Sequence, residues 1–257
     1  MIPLEKTAQV WCIHGNLGGG KSMTAVSMAV DAIFNGYFVA TNIKLDIDEL
    51  SKRCKWASSL YYHFDVTTDQ YDDNGNLISR QTFNPFDIPA GSPRGSINPK
   101  RVLVIFDECA EWFDQYTSQK TPFMTRVTSW LRHTSKRNQD VIFIVQRLEY
   151  LQKTFRIICS RYIQVDDLDV WRIPVFKIKI PFMSDFVMAR TCDRVGTKSA
   201  PLTFVKKSYY GRFYNTAQSL STFGGAPVEY TTPSRSYSFP WLLWLFWLAS
   251  LLLLFKV

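Results

Sequence analysis

Three observations predict an α/β fold, a three-layer sandwich around a mainly parallel sheet. The apolar run AQVWCI (8–13) leads into the glycine-rich turn HGNLGGGKS (14–22) and then MTAVSMAVDAIFNG, whose apolar residues recur at helical spacing until Gly36. RVLVIFDE (101–108) carries five consecutive apolar residues closed by two carboxylates, the pattern of a strand covered on both faces. DVIFIVQ (140–146) is a second strand of that kind.

The remaining elements follow in order. YFVATNI (37–43) reads as the second strand. From 46 to 100 the chain turns polar, and DNGN (73–76) stands between HFDVTTDQY and LISRQTF, which predicts an inserted β-hairpin over about 60–85. PAGSPRGSINPK (89–100) is a loop, residues 119–136 are compatible with a helix, and helical sequence follows 146 to about 157. Late strands are expected at 161–165 and 170–180. After 195 the Ser, Thr, Gly, Tyr and Pro content rises and ordered elements are no longer legible. The resulting plan is a nucleotide-binding domain over 1–193, a basic Ser/Thr/Tyr-rich juxtamembrane linker over 194–238, an apolar segment over 239–255 and a tail of residues 256–257.

Composition narrows the class. At 257 residues the chain holds one α/β domain with appendages. The net charge of +8 is unevenly spread: residues 194–240 hold Arg194, Lys198, Lys206, Lys207, Arg212 and Arg235 against the single acid Glu229. The five cysteines form no CxxC pair and the three histidines are scattered, so neither a zinc site nor a disulfide framework is indicated. MIPLEKTAQVWCIHG lacks the pattern of a secretory signal, and the N-terminal domain is expected in the cytoplasm.

Gly15, Gly20, Lys21 and Ser22 satisfy G-x-x-x-x-G-K-[ST] at every fixed position, in the strand–loop–helix setting that a phosphate cradle requires. Backbone N–H groups of Gly15, Asn16, Leu17, Gly18, Gly19, Gly20, Lys21, Ser22 and Met23 would surround the phosphates of ATP, with the positive end of the following helix aimed at the same anion. Lys21 would reach the β- and γ-phosphates, and Ser22 would hold Mg2+ together with Asp107 at the end of its strand. Glu108 is placed to polarise an attacking water, which favours hydrolysis; a solvated strand-end charge is its plainer reading. Gln146 would sense the γ-phosphate or position water if its strand lies beside the first, and otherwise simply ends a strand. In RVTSWLRHTSKR, Arg132 and its neighbours Arg126, Lys136 and Arg137 are open to three readings: a charge supplied to another subunit's nucleotide, a contact to DNA phosphates, or solvated helix charges. Guanine specificity is unsupported, because NIKLD (42–46) has the wrong spacing for N-K-x-D.

FPWLLWLFWLASLLLLF (239–255) has no charge in 17 positions and would span about 25 Å as a helix, which predicts a single C-terminal transmembrane helix. Trp241, Trp244 and Trp247 lie toward its N-terminal side, and the basic stretch before it predicts a cytoplasmic N-terminal domain.

Taken together, HGNLGGGKS, TNIKLD, VLVIFDECAEWF and LRHTSKRNQDVIFIVQ resemble the zonular occludens toxin family, which includes the membrane-bound assembly ATPases of filamentous phages; the resemblance covers roughly residues 8–190. It implies an oligomeric ATPase in the host inner membrane that drives extrusion of phage particles, with coat protein and the packaged single-stranded DNA complex as partners. Gly15, Gly20, Lys21, Ser22, Asp107, Glu108 and, more loosely, Arg132 match positions of that pattern. Two other readings stay open: a nucleotide-gated membrane scaffold that turns over negligibly, and a DNA translocase.

Overall fold

The computed structural model of the chain describes residues 2, 9–65, 67–71, 77–82, 84–92, 100–109, 113, 122–170, 183–193 and 202–214. In chain order these form β1 (Val10–His14), α1 (Lys21–Phe34), β2 (Phe38–Thr41), α2 (Ile47–Ser51), α3 (Ala57–Leu60), β3 (Tyr61–His63), β4 (Thr67–Tyr71), β5 (Leu77–Thr82) and β6 (Val102–Phe106). They continue with α4 (Pro122–His133), β7 (Gln139–Val145), α5 (Lys153–Ile158), β8 (Arg161–Asp167), β9 (Phe186–Asp193), β10 (Thr203–Lys206) and α6 (Lys207–Tyr210).

Eight strands make one sheet in the order β10-β9-β8-β1-β7-β6-β2-β3. The run from β8 to β3 is parallel throughout, and β9 and β10 extend it as antiparallel strands at the β8 edge. The register sets His14 opposite Val145 and Phe106 opposite Phe143, so the strands carrying the glycine loop, Gln146 and Asp107 end on one rim.

Because successive strand residues point to opposite faces, each buried strand feeds two cores. Trp11, Ile13, Ile105, Ile142 and Ile144 face α1, whose Ala25, Val26, Ala29 and Ile33 are almost wholly buried. Val10, Cys12, Val104, Phe106, Val141 and Phe143 face α4 and α5. That second core is aromatic: Phe143 stacks on Phe155 at 5.5 Å, Phe106 on Phe143 at 5.6 Å, and Trp130 meets Phe106 edge-on at 6.1 Å. Helices on both faces of a mostly parallel sheet give the expected three-layer sandwich.

At the rim away from the glycine loop, the wholly buried Asp140 pairs with Arg101 through Nε at 2.6 Å and Nη2 at 2.8 Å, and accepts the Gln9 N–H at 2.9 Å. Arg137 is engaged nearby: it donates to the carbonyl of Ile88 at 2.8 Å and to Gln139 Oε1 at 3.1 Å, which pins the loop after the 3₁₀ turn Pro85–Asp87.

Several expectations meet the structure differently. β4 and β5 pair antiparallel as a separate ribbon in the segment where DNGN predicts a hairpin, but β3, inside the expected 60–85 insertion, belongs to the main sheet next to β2. The strand expected over 170–180 lies outside the described residues beyond Val170, and a strand that was not foreseen, β9, occupies Phe186–Asp193. The linker expected from 194 is corrected: β10 pairs with β9, and α6 with the 3₁₀ turn Gly211–Phe213 returns to α1. Phe213 is fully buried, 6.2 Å edge-on from Phe34, which by area alone stabilises the domain by about 2 kcal/mol. Tyr210 donates its hydroxyl to Asp31 of α1 at 3.0 Å. Residues 239–255 lie outside the described residues; among those described, no helix is long and apolar enough to cross a membrane.

Candidate functional site: a phosphate loop facing an Asp-Glu strand end

The loop from Gly15 to Gly20 joins the end of β1 to the start of α1. Its first residue must be glycine for lack of space: a Cβ on Gly15 would overlap the carbonyl oxygen of Val165 on the neighbouring β8. Its last, Gly20, has φ 85°, and a Cβ there would come within 2.5 Å of the Val187 side chain. No side chain caps α1, so the N–H groups of its first turn are left for an anion. Lys21 Nζ donates to the carbonyls of Gly15 at 3.1 Å and Asn16 at 2.8 Å, and burial holds its pKa below the ordinary lysine value.

Opposite the loop, Ser22 Oγ donates to Asp107 Oδ2 at 2.7 Å. Burial raises the Asp107 pKa, and the Ser22 hydroxyl and Glu108 N–H oppose that shift by hydrogen bonding. Pairing of β6 with β7 stops at Phe106, and the Cys109 N–H rejoins β7 at the carbonyl of Ile144. Between these points Glu108 takes φ 55°, a left-handed conformation that costs a non-glycine residue roughly 1–2 kcal/mol. The kink turns its exposed side chain into the cavity.

A cavity of about 440 Å³ lies between these parts. Leu17, Gly18, Gly19, Gly20, Lys21, Ser22 and Met23 line one side, and Asp107, Glu108 and Gln146 another. Gly15 sits beneath the loop, its N–H directed to the Gln146 carbonyl at 3.4 Å, while Asn16 serves through its carbonyl. β7 lies between β1 and β6, which puts Gln146 between the glycine loop and the acid pair. Arg132 is not brought here. It ends α4 just before β7 begins at Gln139, so it lies at the far rim, about 20 Å from the cavity along the strand.

The donor set fits a nucleotide with magnesium: a glycine cradle with no room for a Cβ, an uncapped helix start, and a hydroxyl bonded to a carboxylate. One carboxylate and one hydroxyl suit an ion that keeps its waters and takes phosphate oxygens, and no cluster of three acids, histidines or cysteines competes among the described residues.

Residues 9–202 match the profile of the zonular occludens toxin (Zot) family. The chain belongs to that family. Among curated proteins it is similar to the Gene 1 protein of Escherichia phage If1, 26% identical over 245 residues, covering 89% of this chain and 64% of that protein. It is also similar to the Gene 1 protein of Enterobacteria phage M13, 24% identical over 248 residues, covering 89% and 65%. The chain thus spans less than two thirds of the length of these curated relatives. A solved structure similar to it is the N-terminal domain of zonular occludens toxin from Neisseria meningitidis, at 16% identity and TM-score 0.44, covering 81% of this chain and all of that one.

Within this Zot-family domain, four contributors to the site were not assigned from sequence: Asn42, Asp167, Lys207 and Tyr214. Asn42 donates Nδ2 to the Asp107 carbonyl at 3.1 Å and accepts the Asp107 N–H on Oδ1 at 2.8 Å, replacing a strand neighbour where β2 has ended. It lies in TNIKLD, and its amide, a donor and an acceptor on one short stem, was the available signal. Asp167, at the end of β8, lines the cavity and accepts from Lys207 Nζ at 2.8 Å. Tyr214 lines it as well; burial, reinforced by the Asp107 and Glu108 carboxylates, pushes its pKa up to about 12. No local pattern marks Lys207 or Tyr214.

Proposed function

We propose that the chain is the ATPase of filamentous phage assembly, anchored in the host inner membrane by residues 239–255 with its N-terminal domain in the cytoplasm. One observation carries the catalytic part of this reading: the glycine loop, the Ser22–Asp107 pair and the kinked Glu108 converge on one cavity. Membership of the Zot family and similarity to phage Gene 1 proteins support the assembly role.

In this reading the loop N–H groups and the start of α1 bind the phosphates, and Lys21 exchanges its loop carbonyls for phosphate oxygens. Ser22 and Asp107 hold Mg2+, which neutralises charge that develops on the phosphates. Glu108 orients a water for in-line attack, and Gln146 binds that water or the γ-phosphate. Arg132 reaches a nucleotide only from another copy of the chain, so hydrolysis depends on homo-oligomer assembly. Coat protein and the packaged single-stranded DNA complex are the partners moved.

Nucleotide binding and turnover of the full chain in nanodiscs test the proposal. Lys21→Ala is expected to abolish binding, and Glu108→Gln to keep ATP bound while turnover falls by roughly two orders of magnitude or more. Unchanged turnover in both variants defeats it. Loss of turnover for Lys21→Ala alone would instead favour a carboxylate-independent site.

A further inference from the structure

The cavity holds a second charged pair, Asp167 with Lys207, on the side of the glycine loop away from Asp107. Asp167 ends β8, the strand on which the loop rests: a Cβ on Gly15 would overlap the carbonyl oxygen of Val165, two residues earlier in β8. In the register Asp167 stands opposite Val187 of β9, whose side chain abuts Gly20. Asp167 is thereby fixed next to the loop.

Lys207 is held as firmly. Its N–H donates to the Asp185 carbonyl at 2.7 Å, and the Asp185 carboxylate accepts the Ser208 N–H at 2.8 Å and the Ser208 hydroxyl at 2.6 Å. From that anchored start of α6, Lys207 Nζ donates to Asp167 Oδ1 at 2.8 Å and Oδ2 at 3.2 Å, with both side chains mostly buried. Oδ1 also takes the Asp169 N–H at 2.8 Å, so Oδ2, which accepts only the longer bond, keeps capacity for another donor.

The chemistry of the pair narrows its ligand. A bare carboxylate beside a phosphate cradle would repel a triphosphate, and Lys207 cancels that charge. What the carboxylate still offers is a hydrogen-bond acceptor, and phosphates have no donor to give it; the sugar hydroxyls and the base do. Position chooses between these. β8 and β6 flank the loop on opposite sides, three strand spacings or about 14 Å apart. With Mg2+ and the γ-phosphate at Asp107 and Glu108, that span carries the phosphate chain across the loop and brings the sugar, rather than the base beyond it, to Asp167.

We infer that Asp167 is the ribose-binding residue of this site, accepting a hydrogen bond from a sugar hydroxyl of ATP, while Lys207 positions and neutralises its carboxylate. The inference rests on the nucleotide reading above and adds to it a determinant of ribonucleotide over deoxyribonucleotide.

Calorimetric binding of ATP, 2′-deoxy-ATP and 3′-deoxy-ATP to the full chain in nanodiscs, with Mg2+ present, tests it. Wild type is expected to bind ATP about tenfold tighter than at least one deoxy analogue, as the loss of one hydrogen bond to a charged group implies. Asp167→Ala should bring that ratio to about one. Lys207→Met leaves the carboxylate in place and should weaken all three nucleotides with the ratio retained. A purely structural role of the pair would shift all affinities together in both variants and leave the ratio alone. Equal wild-type affinity for the three nucleotides, a comparison that needs no variant, overturns the role of Asp167, as does an Asp167→Ala chain that keeps the wild-type ratio. Unchanged affinities in Lys207→Met overturn the neutralising role of Lys207. A wild-type chain that binds none of the three instead overturns the nucleotide reading itself.

Discussion

At the residue scale, the sharpest feature is Glu108, an acid held at φ 55° between Asp107 and Cys109. The ladder with β7 breaks for two residues, Asp107 and Glu108, and resumes at Cys109, and the strain turns a carboxylate outward that an unbroken strand would have directed along its own face. The strain is measurable. Glu108→Gly and Glu108→Ala both remove the carboxylate and are expected to lose turnover, but glycine accepts the left-handed backbone. In chemical denaturation the glycine variant should be the more stable by about 1 kcal/mol. An alanine variant of equal or greater stability would refute the strained backbone. Glu108 itself was legible from its place after Asp107, whereas the Asn42 clamp on the backbone of Asp107 is a contact across 65 residues of chain.

At the scale of elements, α1 gathers structure on both its ends. Its start faces the cavity, and its last turns carry Asp31, buried against α6 and hydrogen-bonded by Tyr210. Burial raises the Asp31 pKa, and the Tyr210 hydrogen bond opposes that shift without cancelling it. A raised carboxylate contributes stability that is present below its unfolded value and lost as pH rises through the folded one, so near neutrality the charge is a cost. Asp31→Asn keeps an acceptor for Tyr210 and removes the charge. It is expected to raise the melting temperature at pH 7, with the gain vanishing below about pH 4; an asparagine variant less stable than wild type at pH 7 would contradict this. The strands β1, β2, β6 and β7 were readable because burial on both faces makes near-continuous apolar runs. β10 was not: only Val205 of its four residues is buried, so TFVK looks like the polar chain around it.

For the whole molecule, the two rims of the sheet divide the work. One carries the glycine loop, Asp107, Glu108 and Gln146; the other carries the Arg101–Asp140 pair and Arg132. A trans role for Arg132 therefore has a distinct signature. Arg132→Ala should leave nucleotide affinity of dilute protein unchanged and lower turnover of the assembled protein by roughly two orders of magnitude or more; equal turnover at all concentrations would reduce it to a surface charge. The sequence by itself determined the phosphate loop, the acid pair and the parallel strands, because each is written in contiguous residues whose spacing or apolarity is local. Tertiary structure alone decided that β7 lies between β1 and β6, that Asn42 secures Asp107, and that Lys207 and Tyr214 return to the cavity. Those contacts join residues far apart in the chain, and their partners are chosen by which backbone groups and buried surfaces remain to be covered once the sheet has formed.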